Sequence, residues 1–233
     1  MKGKISGISL GPGEPELITV KALKALQAAD VIFCPATVRE KEKIESKAAR
    51  ILEVLGIDGE KIRHFYVPMS TDRRAVNKIY DDVCRELVKR AESGQNVAVT
   101  AEGDGGFYSS ANYIFEKLRQ LGSPVEMVAG VPAFIAAGAS IGLHIVRQQE
   151  RMLVIPGNLS EEELESALAR GYTVVIMKVP LGEGVLRSYM VRHPEYRYFY
   201  FEQVGTEAEY ITSVYTEIQD HPFTYFSILV IKP

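Results

Sequence analysis

The stretch GISLGPGEPELIT, residues 7–19, begins as a short apolar run and breaks into a loop of glycine and proline before a helical pattern starts. Glycine lets the backbone turn tightly and approach a ligand closely, and proline stiffens the turn. A loop of this kind between a strand and a helix is typical of a ligand-binding turn in an open α/β sheet. Its position predicts the fold, and its side chains indicate the ligand.

Beyond this loop, short apolar runs with β-branched residues alternate with segments of helical period. This alternation predicts an α/β fold, with a parallel sheet covered by helices. The predicted strands are residues 4–10, 30–34, 96–100 and 125–128. The predicted helices are residues 16–29, 44–55, 77–90, 108–121 and 132–143.

The pattern changes after residue 147. A strand at RMLVIPG is followed by a helix with a capping box at Ser160 and Glu163 and a stop at Gly171, and then by a strand at residues 173–179. Three further segments predict a strand-rich meander, namely YRYFYFEQV, EYITSVYTEI and YFSILVIKP. We therefore expect an α/β domain at residues 1–147 and an α+β domain at residues 148–233, with a ligand cleft between them.

Composition narrows the class of protein. The 233 residues are 46% hydrophobic and carry a net charge of −3 without a basic tract, so we do not expect nucleic acid as a partner. Cys34 and Cys84 lie far apart without a CxxC pattern, which predicts neither a metal site nor a disulfide framework. No apolar run approaches the length of about 20 residues that spans a membrane. We expect a cytoplasmic protein.

A second glycine-bearing loop, AEGDGGFYSS at residues 101–110, follows the predicted strand NVAVT. Because the carboxyl ends of parallel strands meet at one edge of a sheet, we expect both loops to face one crevice. A nicotinamide fingerprint is not present, since Gly11 and Gly13 are followed by Glu16 where the third glycine belongs. A phosphate loop is not indicated either, because the chain contains no GK[ST].

The acidic side chains of the two loops, at Glu14, Glu16, Glu102 and Asp104, favour a cationic or hydroxyl-rich ligand over a phosphate. S-adenosylmethionine has a sulfonium, an ammonium and ribose hydroxyls, and it fits that inventory. For Glu14 and Glu16, a solvated first turn of a helix is an alternative interpretation, because acids favour helix N-termini.

These loops carry a family resemblance. Residues 11–19 (GPGEPELIT), the Gly103-Asp104 loop with Phe107 and Tyr108, residues 130–133 (GVPA) and residues 176–178 (IMK) resemble the tetrapyrrole methylases, in the family's order along the whole chain. Within that family, residues 34–83 most resemble the C20-methyltransferases of precorrin-2 or cobalt-factor II in cobalamin biosynthesis. These proteins have a long insertion that ends in a phrase similar to YVPM and Thr71-Asp72.

The resemblance implies two α/β domains, a homodimer, and S-adenosylmethionine bound between the domains as the cofactor, with no metal. It implies a methyltransferase that acts on C20 of a tetrapyrrole. The family's cofactor-binding positions correspond to Leu10, Pro12, Gly103, Asp104, Phe107, Pro132, Ala133, Met177 and Val204.

Methyl transfer to an electron-rich carbon requires mainly that two large reactants are held in line. Asp104 is the candidate base for removing the proton from the methylated carbon, and a carboxylate that caps a helix or holds the cofactor is the alternative interpretation. The implied substrate has eight carboxylates, which arginine binds well. The candidate substrate-binding residues are Arg39, Arg63, Arg73, Arg74 and Arg147. The alternative interpretation of each is a solvated charge on the protein surface.

The chain departs from the family at two positions. Gly105 stands where the family usually has proline, and Pro132 stands at the first hydroxyl-bearing residue of the family's usual PGVSS or PGVTS, where this chain has AGVPAF. Pro132 removes a backbone donor, and both changes bear on cofactor affinity. Two alternatives therefore stay open, another corrin-ring methyltransferase and an adenosyl-binding protein of the same fold without turnover. A nicotinamide oxidoreductase is disfavoured by the missing third glycine.

Overall fold

The computed structural model describes residues 1–38, 44–67 and 73–233, which form two compact units, Met1–Pro132 and Ala133–Pro233. The α/β class predicted from the sequence is confirmed in both units, each of which has its own sheet and helices. The domain boundary expected after residue 147 stays a prediction, because compactness does not establish which segment folds by itself.

The first unit is built on a six-stranded sheet. Its strands are β1 (Ile5–Ser9), β2 (Val31–Val38), β3 (Ile44–Glu45), β4 (Ile62–Tyr66), β5 (Val97–Ala101) and β6 (Val125–Val128). The strands β4-β2-β5-β1-β6 are neighbours in that order and all run parallel, while β3 pairs antiparallel with the end of β2. The carboxyl ends of β1, β5 and β6 therefore lie side by side at one edge of the sheet.

Helices cover both faces of this sheet. They are α1 (Val20–Ala28), α2 (Lys47–Val54), α3 (Arg73–Glu92) and α4 (Ala111–Gln120). Alternate residues of β5 lie on opposite faces of the sheet. Val97 and Val99 pack in a cluster with α3 and α4, whereas Ala98 packs in a cluster with α1 and α2. Each fully buried aliphatic side chain in these clusters contributes about 1.5–3 kcal/mol to folding.

The second unit has a five-stranded mixed sheet. Its strands are β7 (Arg151–Ile155), β8 (Tyr172–Met177), β9 (Arg197–Glu202), β10 (Tyr210–Thr212) and β11 (Ser227–Lys232), and its helices are α5 (Ala133–Ser140), α6 (Glu161–Ala169), α7 (Glu183–Arg192) and α8 (Tyr215–Asp220). The sheet order is β10-β9-β11-β8-β7, with β7 and β8 parallel and β11 antiparallel to both of its neighbours. Tyr189 and Tyr200 are fully buried in its core.

Three predicted helices of the first unit begin later than their apolar patterns: α4 begins at Ala111 instead of residue 108, and the other two are capped by a hydroxyl side chain. The helix predicted at residues 16–29 begins only at Val20, because Thr19 is its N-cap and accepts the Ala22 N–H at 3.2 Å. The helix predicted at residues 44–55 begins at Lys47, where Ser46 accepts the Ala49 N–H at 3.1 Å and donates to the Pro35 carbonyl at 2.8 Å. In both places, a hydroxyl side chain fixes the start of the helix.

The predicted meander at the end of the chain is wrong in two respects. The segment EYITSVYTEI forms a strand only at β10, and its second half is the helix α8. Thr212 accepts the Val214 N–H and donates to Glu217, so a threonine at the strand end turns the chain into the helix. In addition, β11 lies between β9 and β8, so β10 and β11 are consecutive in the chain but are not neighbours in the sheet.

The N-cap and the stop of α6 are confirmed, since Ser160 accepts the Glu163 N–H at 3.2 Å and Gly171 has a φ of +76°, while the reciprocal bond of a capping box stays a prediction. Among the helices in the described ranges, no helix combines the length and the apolarity that crossing a bilayer requires.

Candidate functional site

The loops that follow β1 and β5 are joined by their backbones. Gly11 and Gly103 form a pair of reciprocal hydrogen bonds, with N–H to carbonyl distances of 3.1 Å from Gly11 and 2.7 Å from Gly103. Both glycines have a positive φ, +79° at Gly11 and +66° at Gly103, and residues other than glycine rarely adopt this backbone conformation. The two glycine-bearing loops thus meet at one edge of the sheet, as the sequence predicts.

A side chain of β1 makes a second connection between the loops. Ser9 is 3% exposed, and its Oγ accepts the Gly105 N–H at 2.9 Å. A proline at position 105 has no N–H to donate, so this bond depends on the glycine that replaces the family's usual residue. A Cβ at Gly105 would lie 3.4–3.5 Å from its nearest neighbours, an ordinary contact distance. The departure at Gly105 therefore adds a tie between the loops.

The Asp104 carboxylate joins the β5 loop to the turn after β6. Its Oδ1 accepts the Gly106 N–H at 2.8 Å, and its Oδ2 accepts the Gly130 N–H at 2.7 Å. Backbone bonds to an ionised carboxylate are among the stronger hydrogen bonds in proteins. This geometry favours the alternative interpretation of Asp104 as a structural carboxylate, and its role as a base stays a prediction.

Gly130 is packed so closely that no side chain fits there. A Cβ at this position would lie 2.5 Å from the Gly103 carbonyl oxygen and 2.5 Å from Ser9 Cβ. On the neighbouring residue, the Ala129 carbonyl accepts the Thr19 hydroxyl at 3.3 Å. The loops of β1, β5 and β6 therefore form one connected frame, which we call the loop frame and define by Ser9, Gly11, Gly103, Asp104 and Gly130.

The residues predicted to bind the cofactor fall into both units. In the first unit, Leu10 is fully buried and its N–H donates to the Ala101 carbonyl at 2.9 Å, while Pro12 and Phe107 are partly buried in the loops on either side. The Phe107 N–H donates to the Asp104 carbonyl at 3.1 Å, which folds that loop back on itself. Pro132 is partly buried and ends this unit.

In the second unit, Ala133 is the first residue of α5. Met177 and Val204 lie at the carboxyl ends of two strands of the sheet. Met177 ends β8 and Val204 lies two residues after β9, strands that flank β11 and run in the same direction. Lys178 and Gln203, which come next to them, have positive φ values of 57° and 52°. Such strained positions cluster at functional sites, so this edge is a second candidate region.

Glu102 is the other acid of the β5 loop. It is partly buried, and within the described residues no hydrogen-bond donor pairs with its carboxylate. Burial raises the pKa of the Glu102 carboxyl, and the charge of Lys47 at the start of α2 offsets part of this effect. Glu14 and Glu16, in contrast, are exposed, as expected for the solvated start of a helix.

The structure describes the side chains of three of the five predicted substrate-binding arginines. Arg63 lies exposed on the edge strand β4 and donates to the Glu60 and Ile62 carbonyls at 2.7 and 2.8 Å. Arg74 is exposed in α3, and Arg147 is exposed in a turn where its N–H donates to Glu150 at 3.0 Å. Arg39 lies outside the described residues, as do residues 68–72 with the Thr71-Asp72 phrase, and only the backbone of Arg73 is described.

Sequence reasoning missed Ser9, Lys47 and the tight packing at Gly130. Ser9 looked like an ordinary strand residue, and its role depends on the N–H of Gly105, 96 positions away in the chain. The sequence predicts a binding role for the GVPA turn, but nothing local indicates that its glycine touches two other loops. Across the described ranges, no group of three or more histidine, cysteine or acidic residues is placed to hold a metal ion.

The chain is similar in sequence to known methyltransferases. A family model described as Tetrapyrrole (Corrin/Porphyrin) Methylases matches residues 4–218. A probable cobalt-precorrin-2 C(20)-methyltransferase of Methanocaldococcus jannaschii is 30% identical over 175 residues, which cover 75% of this chain and 72% of that protein. A precorrin-2 C(20)-methyltransferase of a Sinorhizobium species is 28% identical over 237 residues, which cover 98% and 95% of the two chains.

Solved structures share the fold. A cobalt precorrin-4 methyltransferase matches with a TM-score of 0.73 at 16% identity, covering 98% of this chain and 94% of that chain. A uroporphyrin-III C-methyltransferase from Thermus thermophilus, solved with S-adenosylhomocysteine, matches with a TM-score of 0.65 at 17% identity, covering 99% and 97%.

Proposed function

The chain belongs to the tetrapyrrole methylase family, and from that premise we propose that it transfers the methyl group of S-adenosylmethionine to C20 of precorrin-2 or of its cobalt complex. The observation that carries this proposal is the similarity to C20-methyltransferases over 98% of the chain in one relative and 75% in another. The match over 98% of the chain spans the long segment between β2 and α3, on which the C20 assignment from the sequence depends.

The chemistry of the loop frame fits the proposed cofactor. The glycines of the frame let the loops fold tightly at the sheet edge, and the nearby acids give that edge a negative potential suited to a sulfonium and an ammonium. When bound, S-adenosylmethionine supplies an electrophilic methyl group on a sulfur that leaves as a neutral thioether. A solved structure of the same fold contains the corresponding product, S-adenosylhomocysteine.

The residues of this chain contribute mainly by positioning. Fixing two reactants in line can lower a barrier by about 7–11 kcal/mol, which requires a rigid frame rather than a strong acid or a metal. In this proposal, the loop frame holds the cofactor, and its hydrogen bonds resist displacement of the loops as the substrate binds. The cofactor contacts are Leu10, Pro12, Gly103, Asp104, Phe107, Pro132, Ala133, Met177 and Val204.

The proposed substrate carries carboxylates around its macrocycle, and exposed arginines are suited to bind them in pairs of hydrogen bonds. Arg63, Arg74 and Arg147 are exposed, so their guanidinium groups are accessible to a large anion. Arg39 and Arg73 belong to the same proposal from the sequence. We also propose a cytoplasmic homodimer, as the family resemblance implies, and light scattering after gel filtration tests the dimer.

The test is an anaerobic incubation of the purified protein with S-adenosylmethionine carrying a ¹³C methyl group and with either precorrin-2 or cobalt-factor II. The expected result is a gain of one methyl by mass spectrometry, mapped to C20 by NMR. The substrate that reacts identifies whether cobalt is already present at this step. Asp104→Ala should lose activity because it opens the loop frame, whereas Asp82→Ala, an exposed α3 residue, should keep it.

Each other outcome points to a different protein. A methyl group at another carbon would indicate a different corrin-ring methyltransferase. Binding of S-adenosylhomocysteine by calorimetry without methylation of either substrate would indicate an adenosyl-binding protein that lacks turnover. Binding of NAD without binding of S-adenosylhomocysteine would contradict the proposal altogether.

A further inference from the structure

The two acids of the β5 loop have different surroundings. Both oxygens of Asp104 accept backbone N–H groups, at 2.8 Å from Gly106 and 2.7 Å from Gly130. The Glu102 carboxylate, in contrast, has no hydrogen-bond donor among the residues that the structure describes. A partly buried carboxylate without a donor is costly for a folded protein, and such a cost is often kept where a ligand or a reaction needs the group.

The strand pattern gives the direction of Glu102. Along β5, Val97, Val99 and Ala101 pack in the cluster with α3 and α4. The even-numbered residues serve the other face, where Ala98 packs with α1 and α2 and the Thr100 hydroxyl donates to the Phe33 carbonyl at 3.2 Å. Glu102 continues this alternation one step beyond the strand. It therefore lies on the α1–α2 side of the sheet edge, immediately before the loop frame.

The surroundings of Glu102 make its carboxylate a stronger base than an exposed one. Burial raises the pKa of the Glu102 carboxyl, because a charged group loses hydration there. Lys47, at the first turn of α2, is the charged group in the described residues that opposes this shift. Glu102 therefore binds a proton more readily than an exposed glutamate does.

We propose that Glu102, not Asp104, accepts the proton that leaves C20 after methyl transfer. This inference rests on the proposed function. The electron pair of C20 forms the new bond to the methyl carbon, and the carbon–sulfur bond breaks with its pair staying on sulfur. The C20–H bond then breaks, its pair returns to the conjugated macrocycle, and the proton moves to a Glu102 oxygen. No oxidant or metal is required, and the acid later releases its proton to solvent.

The test compares Glu102→Gln and Glu102→Asp with the wild type, and Glu116→Gln serves as the matched control because Glu116 is exposed on α4. We expect Glu102→Gln to lower kcat by about 10²–10⁴-fold, the usual contribution of a general base. Binding of S-adenosylhomocysteine by calorimetry should change by less than about threefold, since the loop frame is intact. Glu102→Asp should recover part of the rate, and Glu116→Gln should match the wild type.

The pH profile separates catalysis from a structural role. In the wild type, kcat should rise with pH as Glu102 ionises, with a midpoint above the usual glutamate value of about 4.3. Glu102→Gln should lose that rise. Because a group whose pKa is raised by folding destabilises the protein at higher pH, Glu102→Gln should also unfold at a higher denaturant concentration at pH 7 than the wild type.

Two results would overturn this assignment while leaving the proposed function intact. One is a Glu102→Gln variant with a wild-type kcat and pH profile. The other is a loss of S-adenosylhomocysteine binding that accounts for the whole loss of rate, which would make Glu102 a cofactor contact. If the wild type methylates neither precorrin-2 nor cobalt-factor II, the proposed function fails, and the role of Glu102 fails with it.

Discussion

The Asp104 carboxylate and the Gly130 N–H, 26 residues apart in the chain, are joined by a hydrogen bond of 2.7 Å. This bond holds the turn after β6 against the loop after β5, and a Cβ at position 130 would lie 2.5 Å from the Gly103 carbonyl oxygen and from Ser9 Cβ. The glycine is needed for lack of room rather than for a special backbone angle. The loop frame is therefore sensitive to the smallest possible substitution.

We expect Gly130→Ala to destabilise the protein by about 1–3 kcal/mol, the usual cost of overpacking, because the added Cβ would meet Ser9 and the Gly103 carbonyl. Gly184→Ala is the control, since a Cβ there meets nothing within 4 Å and alanine favours the helix α7. Urea denaturation of both variants measures the difference. Equal midpoints for Gly130→Ala and the wild type would contradict the packing argument.

Ser9→Ala should leave the Gly105 N–H buried without an acceptor, at a cost of about 1–3 kcal/mol in the free energy of unfolding. In a Gly105→Pro background the donor is already missing, so Ser9→Ala should cost less there. A double-mutant cycle of urea denaturation measures this coupling. Strict additivity of the two substitutions would show that the Ser9–Gly105 bond does not stabilise the loops.

Lys232 is 5% exposed at the end of β11, and its ammonium donates to the His144 and Ile145 carbonyls at 2.8 and 2.9 Å. Lys232→Met should lower the free energy of unfolding by about 1–3 kcal/mol, because the His144 carbonyl loses this donor and the Ile145 carbonyl keeps only the Thr173 hydroxyl, at 3.0 Å. Lys2→Met, at an exposed ion pair with Glu92, should change it by less than about 1 kcal/mol. A Lys232→Met variant as stable as Lys2→Met would exclude this role.

The same lysine affects a titration. The Arg147 N–H, and then the Lys232 ammonium, hold the pKa of Glu150 below the usual glutamate value. A lowered folded pKa contributes stability above the unfolded value, and this contribution is lost as the pH falls through the folded value. In Lys232→Met, NMR titration should find the Glu150 pKa raised toward normal. An unchanged Glu150 pKa would mean that the Arg147 backbone alone sets it.

Both cysteines should be inert in the native protein. Burial raises the pKa of Cys34 to about 11, an effect that a hydrogen bond with Thr100 partly opposes, and burial raises the pKa of Cys84 to about 11 as well. Since the thiolate is the reactive form, neither should react with a thiol reagent at pH 7, and both should react after denaturation. Fast labelling of the native protein would show that one of them opens to solvent.

Much of the fold follows from local patterns. The β6 strand has the bounds that its alternation predicts, and α6 begins and ends at its predicted cap and stop. Two of the failures share a cause, since the pattern of apolar residues continues past a hydroxyl side chain that redirects the backbone, whereas the position of β11 depends on long-range pairing. Thr19 shortens α1 in this way, and Thr212 turns a β-branched segment into α8. Tertiary context overrides β propensity readily.

The site was predictable in its loops but not in its connections. Glycine and proline mark the loops after β1 and β5, and the parallel sheet brings them together without further information. The acceptor partners of Gly105 and Gly130 depend on which distant loops become neighbours, which no local window contains. For the same reason, Asp104 and Glu102 look equivalent in the sequence, although both oxygens of Asp104 accept a backbone N–H and Glu102 has no donor within residues 1–38, 44–67 and 73–233.

The position of β11 has a consequence for folding during synthesis. This strand lies between β8 and β9, and all six of its residues are buried, yet it is made after both neighbours. Until the ribosome has released residues 227–232, β8 and β9 each present an unpaired edge to the cell. Such edges recruit other chains. We therefore expect nascent chains stalled before β11 to bind chaperones more strongly than chains stalled after it.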